Sequence, residues 1–430
     1  MSRQHFFHFH AQVSIGLVIF FALTLIWVFP TNVFAEQLAK KPLKVFILCG
    51  QSNMEGHAKL SSFDHIGMDP KTAPILRAMR ADDETPRVCD KVWISYFTGS
   101  GDGGEGTGKL TAGYGSRKVP SEAGDKIGPE FTFGIYMEKF LDEPILIIKT
   151  AWGGKSLNTD FRSPSAGAYE FNEKQFDGFR KRGITKQSAI QEKAKATGKY
   201  YRLMTKHVKR VLGDIKRVYP DYDAEQGYEL SGFVWFQGWN DMVDGSTYPN
   251  RGKPGGYDLY SKLMAHFIRD VRKDLSAPNM HFVIGVMGTG GPVEMYDASQ
   301  QRYKGIHSSF RKAMAAPASL PEFKGNVTAV LTEKYWDHEL EAVIKKNDLV
   351  NQKSRALAKA NQGYPDQQGT ISPAEQKKVV EKFRAETMTS RDVEILKGRT
   401  NAAYHYLGSA KIMAQIGKAF AEALLPHVKN

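Results

Sequence analysis

Residues 45–57 read Val-Phe-Ile-Leu-Cys-Gly-Gln-Ser-Asn-Met-Glu-Gly-His, and this stretch decides the fold. The short apolar run Val45–Cys49 has the length and β-branched character of a buried strand. Gly50 and Gln51 end it, and Ser52 follows at once. A serine there is held by a rigid strand and is followed by backbone N–H groups able to bind an oxyanion, as a nucleophile on an α/β scaffold requires. Alone, the string also fits a Ser/Asn turn that closes a strand and caps the next helix.

The rest of the chain has the same rhythm. Strands are expected at Lys91–Phe97, Pro144–Thr150, Gly232–Gln237, His281–Met287 and Asn326–Leu331. Helical patterns lie between and after them, at Glu130–Phe140, Lys199–Val218, Tyr257–Leu275, Ala374–Thr387 and Ala410–Leu425. In Tyr257–Leu275 the residues Leu259, Leu263, Phe267, Val271 and Leu275 recur at fours, with charges elsewhere on the wheel. Short apolar strands alternating with amphipathic helices predict a parallel sheet covered on both faces, an α/β fold. Two polar segments interrupt the rhythm, near 98–128 (rich in glycine) and 158–197, the latter with Phe161, Tyr169, Phe171, Phe176 and Phe179. Both are read as long loop insertions, the first at the rim of a cleft. Nothing divides residues 40–428 into separate domains, and no internal repeat is visible.

Composition narrows the function. The chain has 430 residues, 41% apolar and 24% charged, which is ordinary for a globular protein. Residues 1–35 differ: an almost uncharged run from Val13 to Phe29 ends at Pro30, and Val33-Phe34-Ala35 offers a small-residue cleavage site. This reads as a secretory signal peptide, which predicts a secreted or periplasmic protein. An uncleaved N-terminal anchor is the competing reading, and the only one that brings in a membrane. Only two cysteines are present, Cys49 and Cys89; export would permit a disulfide, but Cys49 sits on the first expected strand and is read as a small buried apolar residue. No Cys/His cluster has metal-ligand spacing, and Asp337-His338-Glu339 and Asp82-Asp83-Glu84 are read as solvated surface. The formal charge of +13 is spread over helical faces, without the aromatic-studded groove that single-stranded nucleic acid needs; an export signal also argues against nucleic acid as a partner. An anionic polysaccharide would suit a basic surface.

Three later blocks join Ser52. Ala151-Trp-Gly-Gly-Lys-Ser156 follows the strand ending near Thr150, and its paired glycines allow close backbone approach. Gln237-Gly-Trp-Asn-Asp241 closes another strand with polar residues at its carboxyl end, where open α/β sheets bind ligands. His405 stands just before the last helix. In this order, the Gly-Gln-Ser-Asn-Met, Ala-x-Gly-Gly-x-Ser and Gly-x-Asn-Asp strings and the late histidine resemble the SGNH (GDSL-like) hydrolases. The similarity is greatest to their sialate O-acetylesterase and acetylxylan-esterase branch. The resemblance implies a three-layer α/β/α, flavodoxin-like domain and a serine esterase removing O-acetyl groups from a carbohydrate, with no metal or organic cofactor. It also implies Ser52 as nucleophile and His405 as base, with the Ser52 N–H, a Gly153 or Gly154 N–H and the Asn240 or Gln237 side chain in the oxyanion hole.

The chain departs from that pattern at both usual acid positions. Trp239 stands where the branch carries Glu after Gln-Gly, and Ala402 stands three residues before His405 where Asp is usual. A histidine base gains from an acceptor on Nδ1 that fixes its tautomer. Asp241 is the first candidate, with Asp392 and Glu394 behind it and a backbone carbonyl as the remaining option. Loss of both acids also admits a second function, a non-catalytic carbohydrate-binding protein on a degenerate SGNH scaffold.

Overall fold

A computed structural model describes residues 41–99, 104–362 and 371–428. The proposed signal segment and part of the glycine-rich insertion lie outside these residues. Nine strands are described: β1 (Leu43–Gly50), β2 (Ala58–Lys59), β3 (Val92–Phe97), β4 (Glu105–Lys109), β5 (Lys126–Ile127), β6 (Ile145–Ala151), β7 (Tyr228–Phe236), β8 (Phe282–Val286) and β9 (Val327–Leu331). Seven form one sheet in the order β4-β3-β6-β1-β7-β8-β9, while β2 and β5 pair separately. All neighbours in the large sheet are parallel except β4, which runs antiparallel on the edge of β3.

The apolar alternation sorts side chains to two cores. On β1, Phe46 and Leu48 face one way and pack with Phe131, Phe133, Ile412 and Phe420. Val45, Ile47 and Cys49 face the other way, toward Met204, Val208, Leu263, Phe267 and Phe310. Helices Glu130–Phe140 and Ala410–Leu424 therefore cover one face, and helices Lys199–Gly213, Asp258–Asp274 and Lys304–Ala315 the other. This is the expected three-layer α/β/α arrangement. Taken in chain order, β6-β1-β7-β8-β9 follow the flavodoxin-like sequence 2-1-3-4-5, with β3 and β4 added at the β6 edge. The order reverses at β1, so the crevice at its carboxyl end is where such a sheet binds ligands.

Several expectations need correction. The 98–128 segment contributes edge strand β4 and short strand β5 as well as loop. Its glycines hid the strand: a Cβ on Gly106 would sit 2.2 Å from the Pro120 carbonyl oxygen, so a covering loop excludes side chains there. The 158–197 segment folds into helices Glu173–Arg180 and Lys186–Ala196. In helix Asp258–Asp274 the buried face drifts with the 3.6 period; it includes Tyr260, Leu263, Met264, Phe267, Ile268 and Val271, and leaves Leu259 exposed. Asp337 is buried, not solvated: it caps the helix His338–Gln362 through the Leu340 N–H (3.0 Å) and pairs with Lys411 at 3.1 Å. Cys49 is free and buried, as expected, and so is Cys89.

Candidate active site

Ser52 opens the short helix Ser52–Glu55 directly after β1. Gly50 is required just before it, because a Cβ there would lie 2.1 Å from the carbonyl oxygen of Phe236 on neighbouring β7. Gly56 closes the turn at φ +88°, packed against Gly128. As the first helical residue, Ser52 presents an N–H with no intrahelical acceptor, and its Oγ makes no hydrogen bond among the described residues. Beneath the turn lies the fully buried Lys149 on β6. Its ammonium donates to the carbonyls of Glu55 (2.9 Å) and Tyr114 (2.7 Å) and to the Glu130 carboxylate (2.7 Å). The helix that carries Ser52 thus has its last carbonyl anchored to a buried cation.

Gln51 ties this turn to the block after β7. Its Oε1 accepts the Gly238 N–H at 3.1 Å, which fixes the amide orientation; its Nε2 then donates to Asn240 Oδ1 at 2.9 Å. Asn240 is therefore oriented with Nδ2 outward, a half-buried donor without a partner among the described residues. Gln237 is different. Its Nε2 donates to both the Lys155 carbonyl (3.0 Å) and Asp241 (2.7 Å), and its Oε1 accepts from the Tyr260 hydroxyl (3.1 Å). Gln237 has no N–H left for an oxyanion, so that expectation is replaced by Asn240 alone. The Gly153 backbone abuts Ser52: a Cβ there would lie 3.9 Å from Ser52 Cβ, whereas one on Gly154 would meet nothing within 4 Å. Gly153 is the nearer donor, and Gly154, at φ +72°, shapes the turn.

His405 lies in the loop before the last helix, on a backbone in which Tyr406 (φ +51°), Leu407 (φ +63°) and Gly408 (φ +60°) are all left-handed. Two non-glycine residues in that region carry a strain that only dense local bonding sustains. The bonds are present: the Leu407 carbonyl accepts the N–H groups of Thr400 and Asn401, Thr400 Oγ1 donates to the Gly408 carbonyl at 2.6 Å, and the Leu407 N–H donates to Ala402. Asn53 Nδ2, next in the chain to Ser52, donates to the Tyr404 carbonyl at 3.2 Å and joins this loop to the Ser52 turn. No hydrogen bond connects Ser52 Oγ with His405 in this state; such contacts commonly tighten only when substrate binds.

The acceptor on His405 is Asn401, whose Oδ1 lies 3.0 Å from Nδ1. The same oxygen accepts the Ala402 N–H at 2.7 Å, which identifies it as oxygen and makes Nδ1 the donor. The Nε2 lone pair is left free to accept a proton. Asp241 does not fill this role. It is buried, and its two oxygens accept the Leu157 and Asn158 N–H groups, Gln237 Nε2 and the Tyr248 hydroxyl, so it locks the loop after β6 to the one after β7. Burial pushes its carboxyl up to about 6 against those four donors. Asp392 caps its own helix through Thr389 and pairs with Lys346, and Glu394 pairs with Lys397.

Two further residues of the opening stretch reach His405. The His57 ring stacks on it at 4.0 Å between centroids with 8° between planes, and His57 Nε2 lies 3.8 Å from Glu55 Oε2. Glu55 Oε1 accepts from Thr98 Oγ1 at 3.0 Å. Burial first, then His57 and Lys126, lower the His405 imidazole to about 4, while Glu55 opposes the shift. Asn401, His57 and Glu55 escaped the sequence reading. An Asx four residues before His405 and a carboxylate three after Ser52 were the available signals, and neither is distinctive without the loop geometry.

A family model described as carbohydrate esterase, sialic acid-specific acetylesterase, matches residues 42–319. The chain belongs to this family. The match carries the blocks of Ser52, Gly153 and Asn240 and ends before the loop of His405 in this esterase. No curated protein matches the chain. Among solved structures, an Arabidopsis thaliana protein is 14% identical, with 90% of this chain and 99% of that one covered and a TM-score of 0.41. A carbohydrate acetylesterase from Xanthomonas citri is 14% identical over 66% of this chain and 49% of that one, with a TM-score of 0.36. The structure titled NanS is 11% identical over 68% of this chain and 78% of that one, also at 0.36.

Proposed function

We propose that this carbohydrate O-acetylesterase works through an acyl-enzyme on Ser52, with His405 as base and Asn401 as the residue that positions it. One observation carries the reading: unspent donors, the Ser52 N–H and Asn240 Nδ2, border a serine whose neighbouring histidine has its tautomer set by Asn401. Ser52 Oγ would attack the acetyl carbonyl while His405 Nε2 takes its proton. The Ser52 and Gly153 N–H groups and Asn240 Nδ2 would hold the oxyanion. His405 then returns the proton to the departing sugar alkoxide, and water releases acetate in a second half-reaction. A neutral Asn orients the ring as an aspartate would, but supplies no charge to stabilise the imidazolium.

Ser52→Ala is expected to lower acetyl-ester turnover about ten-thousand-fold without changing the circular dichroism spectrum, and a fluorophosphonate is expected to label Ser52 stoichiometrically. Retained turnover removes Ser52 from the mechanism, and an inert serine with retained glycan binding favours the binding-protein reading. We also propose export, on the strength of residues 1–35. Mature protein from the producing cell should begin after Ala35; a chain still beginning at Met1 in the membrane fraction would replace cleavage by the uncleaved anchor, and one in the cytoplasmic fraction would refute export.

A further inference from the structure

Two aromatic residues beside the site, Trp239 and Tyr404, lie together. Trp239 immediately precedes the oriented Asn240, and Tyr404 immediately precedes His405. Their rings lie 5.5 Å apart between centroids with 40° between planes, and the Tyr404 ring stands edge-on to His405 at 4.4 Å and 69°. Tyr404 is 43% exposed, and Trp239 is half-buried. Neither the indole N–H nor the phenol hydroxyl has a hydrogen-bond partner among the described residues. Within the 158–197 segment, by contrast, Phe161 and Phe176 are buried, and Phe171, Phe176 and Phe179 pack on one another.

We infer that Trp239 and Tyr404 form the platform on which the sugar ring bearing the acetyl ester stacks, which makes them specificity-determining residues. The inference rests on the esterase reading above. The chemistry matches on three counts. A pyranose presents an apolar C–H face, which an aromatic face accepts; it presents ring hydroxyls, which the free indole N–H and phenol hydroxyl can bond. The position also fits, because the pair spans the two blocks that carry Asn240 and His405, so a ring seated there brings its ester to Ser52.

The test separates ring recognition from ester chemistry. The kcat/KM of wild type, Trp239→Ala, Tyr404→Ala and the conservative Trp239→Phe would be measured on methyl tetra-O-acetyl-glucoside and on ethyl acetate, which has no ring to stack. An aryl acetate is avoided because its leaving group could itself stack. The ratio of glucoside to ethyl acetate kcat/KM is expected to fall about tenfold in each Ala variant, through KM, with most of it restored in Trp239→Phe. A ratio unchanged in both Ala variants overturns the platform. Binding provides a readout independent of turnover. In a Ser52→Ala background, calorimetry with the same glucoside should show about tenfold weaker affinity when Trp239→Ala is added; equal affinity overturns the proposal. An inactive wild type that still binds the glucoside through Trp239 would sink the esterase mechanism and leave the platform standing.

Discussion

The Ser52 turn, residues 50–57, and the His405 loop, residues 400–409, meet at the carboxyl end of the sheet but are held there by opposite means. The first grows out of central strand β1, is clamped to β7 through Gln51 and is seated on the buried Lys149 ammonium. The second follows no strand. It is held by neutral hydrogen bonds around a left-handed backbone, and its histidine leans on an uncharged Asn401. The comparison shows where this enzyme concentrates charge. A buried ion pair seats the Ser52 turn, while His405 is left in surroundings that disfavour its own protonation.

The largest expected effect tests the first half of that contrast. Lys149→Met would leave Glu130 as an uncompensated buried carboxylate and strip donors from the Glu55 and Tyr114 carbonyls. Breaking one partner of such a pair costs about 3–5 kcal/mol, to be read as a lower urea midpoint at unchanged slope. Replacing both Lys149 and Glu130 by apolar residues should recover part of the loss. A cost below about 1 kcal/mol, the range of an exposed pair, would mean that the buried charge does not hold the turn.

Asn401→Ala tests the other half. Without the Oδ1 acceptor, the His405 ring loses both tautomer and orientation, and kcat should fall about 100-fold with KM and thermal midpoint little changed. Asn401→Asp should retain most of the activity and move the acid limb of the pH profile upward, because a carboxylate beside the ring favours the imidazolium. A silent Asn401→Ala would return the search for the orienting group to its start.

The pH dependence sharpens the comparison further. With His405 held near 4, mainly by burial, the base is neutral at every higher pH and protonated only below that value. The kcat/KM should therefore stay flat from pH 8 to pH 5 and fall as pH drops through about 4. An ordinary imidazole, at about 6.5, would already have lost about 30-fold at pH 5. Glu55→Gln removes the carboxylate that opposes the shift, so its acid limb should lie lower still. A limb near 6.5 in the parent enzyme would show that His405 is not desolvated in solution.

How much of this was legible follows the same division. β1, the crossover rhythm and the blocks at 50–54, 151–156 and 237–241 are local patterns, because a parallel sheet writes its strands as short apolar runs and its site as the residues just after them. The positions of Ser52 and Asn240, just past the carboxyl ends of β1 and β7, could be read from that rule. Asp241 misled because it has the right charge beside the right block; its environment, four donors from three segments, exists only in the folded chain. Asn401 was missed for the complementary reason. The turn that folds it back onto His405 needs left-handed Tyr406 and Leu407, residue types that do not announce that conformation. Edge strand β4 was hidden by its glycines, and Asp337 by its charged neighbours.

Tyr406 offers the smallest and most discriminating test. Its hydroxyl is fully buried, accepts the Gly288 N–H at 2.8 Å and lies 2.7 Å from Thr332 Oγ1. Because Thr332 already donates to the Val286 carbonyl at 2.7 Å, the tyrosine hydroxyl donates in that pair. Tyr406→Phe would leave the Gly288 N–H buried and unpaired, at a cost of about 1–2 kcal/mol, visible as a lower thermal midpoint. The bonds that shape the loop itself, from Thr400, Asn401 and Leu407, are untouched, so kcat should change by no more than about twofold. If instead kcat fell as far as in Asn401→Ala, the local bonds would not be enough to hold the strained backbone. The base loop would then be anchored from the sheet after all, through Tyr406 to the ends of β8 and β9, and the two halves of the site would be built alike.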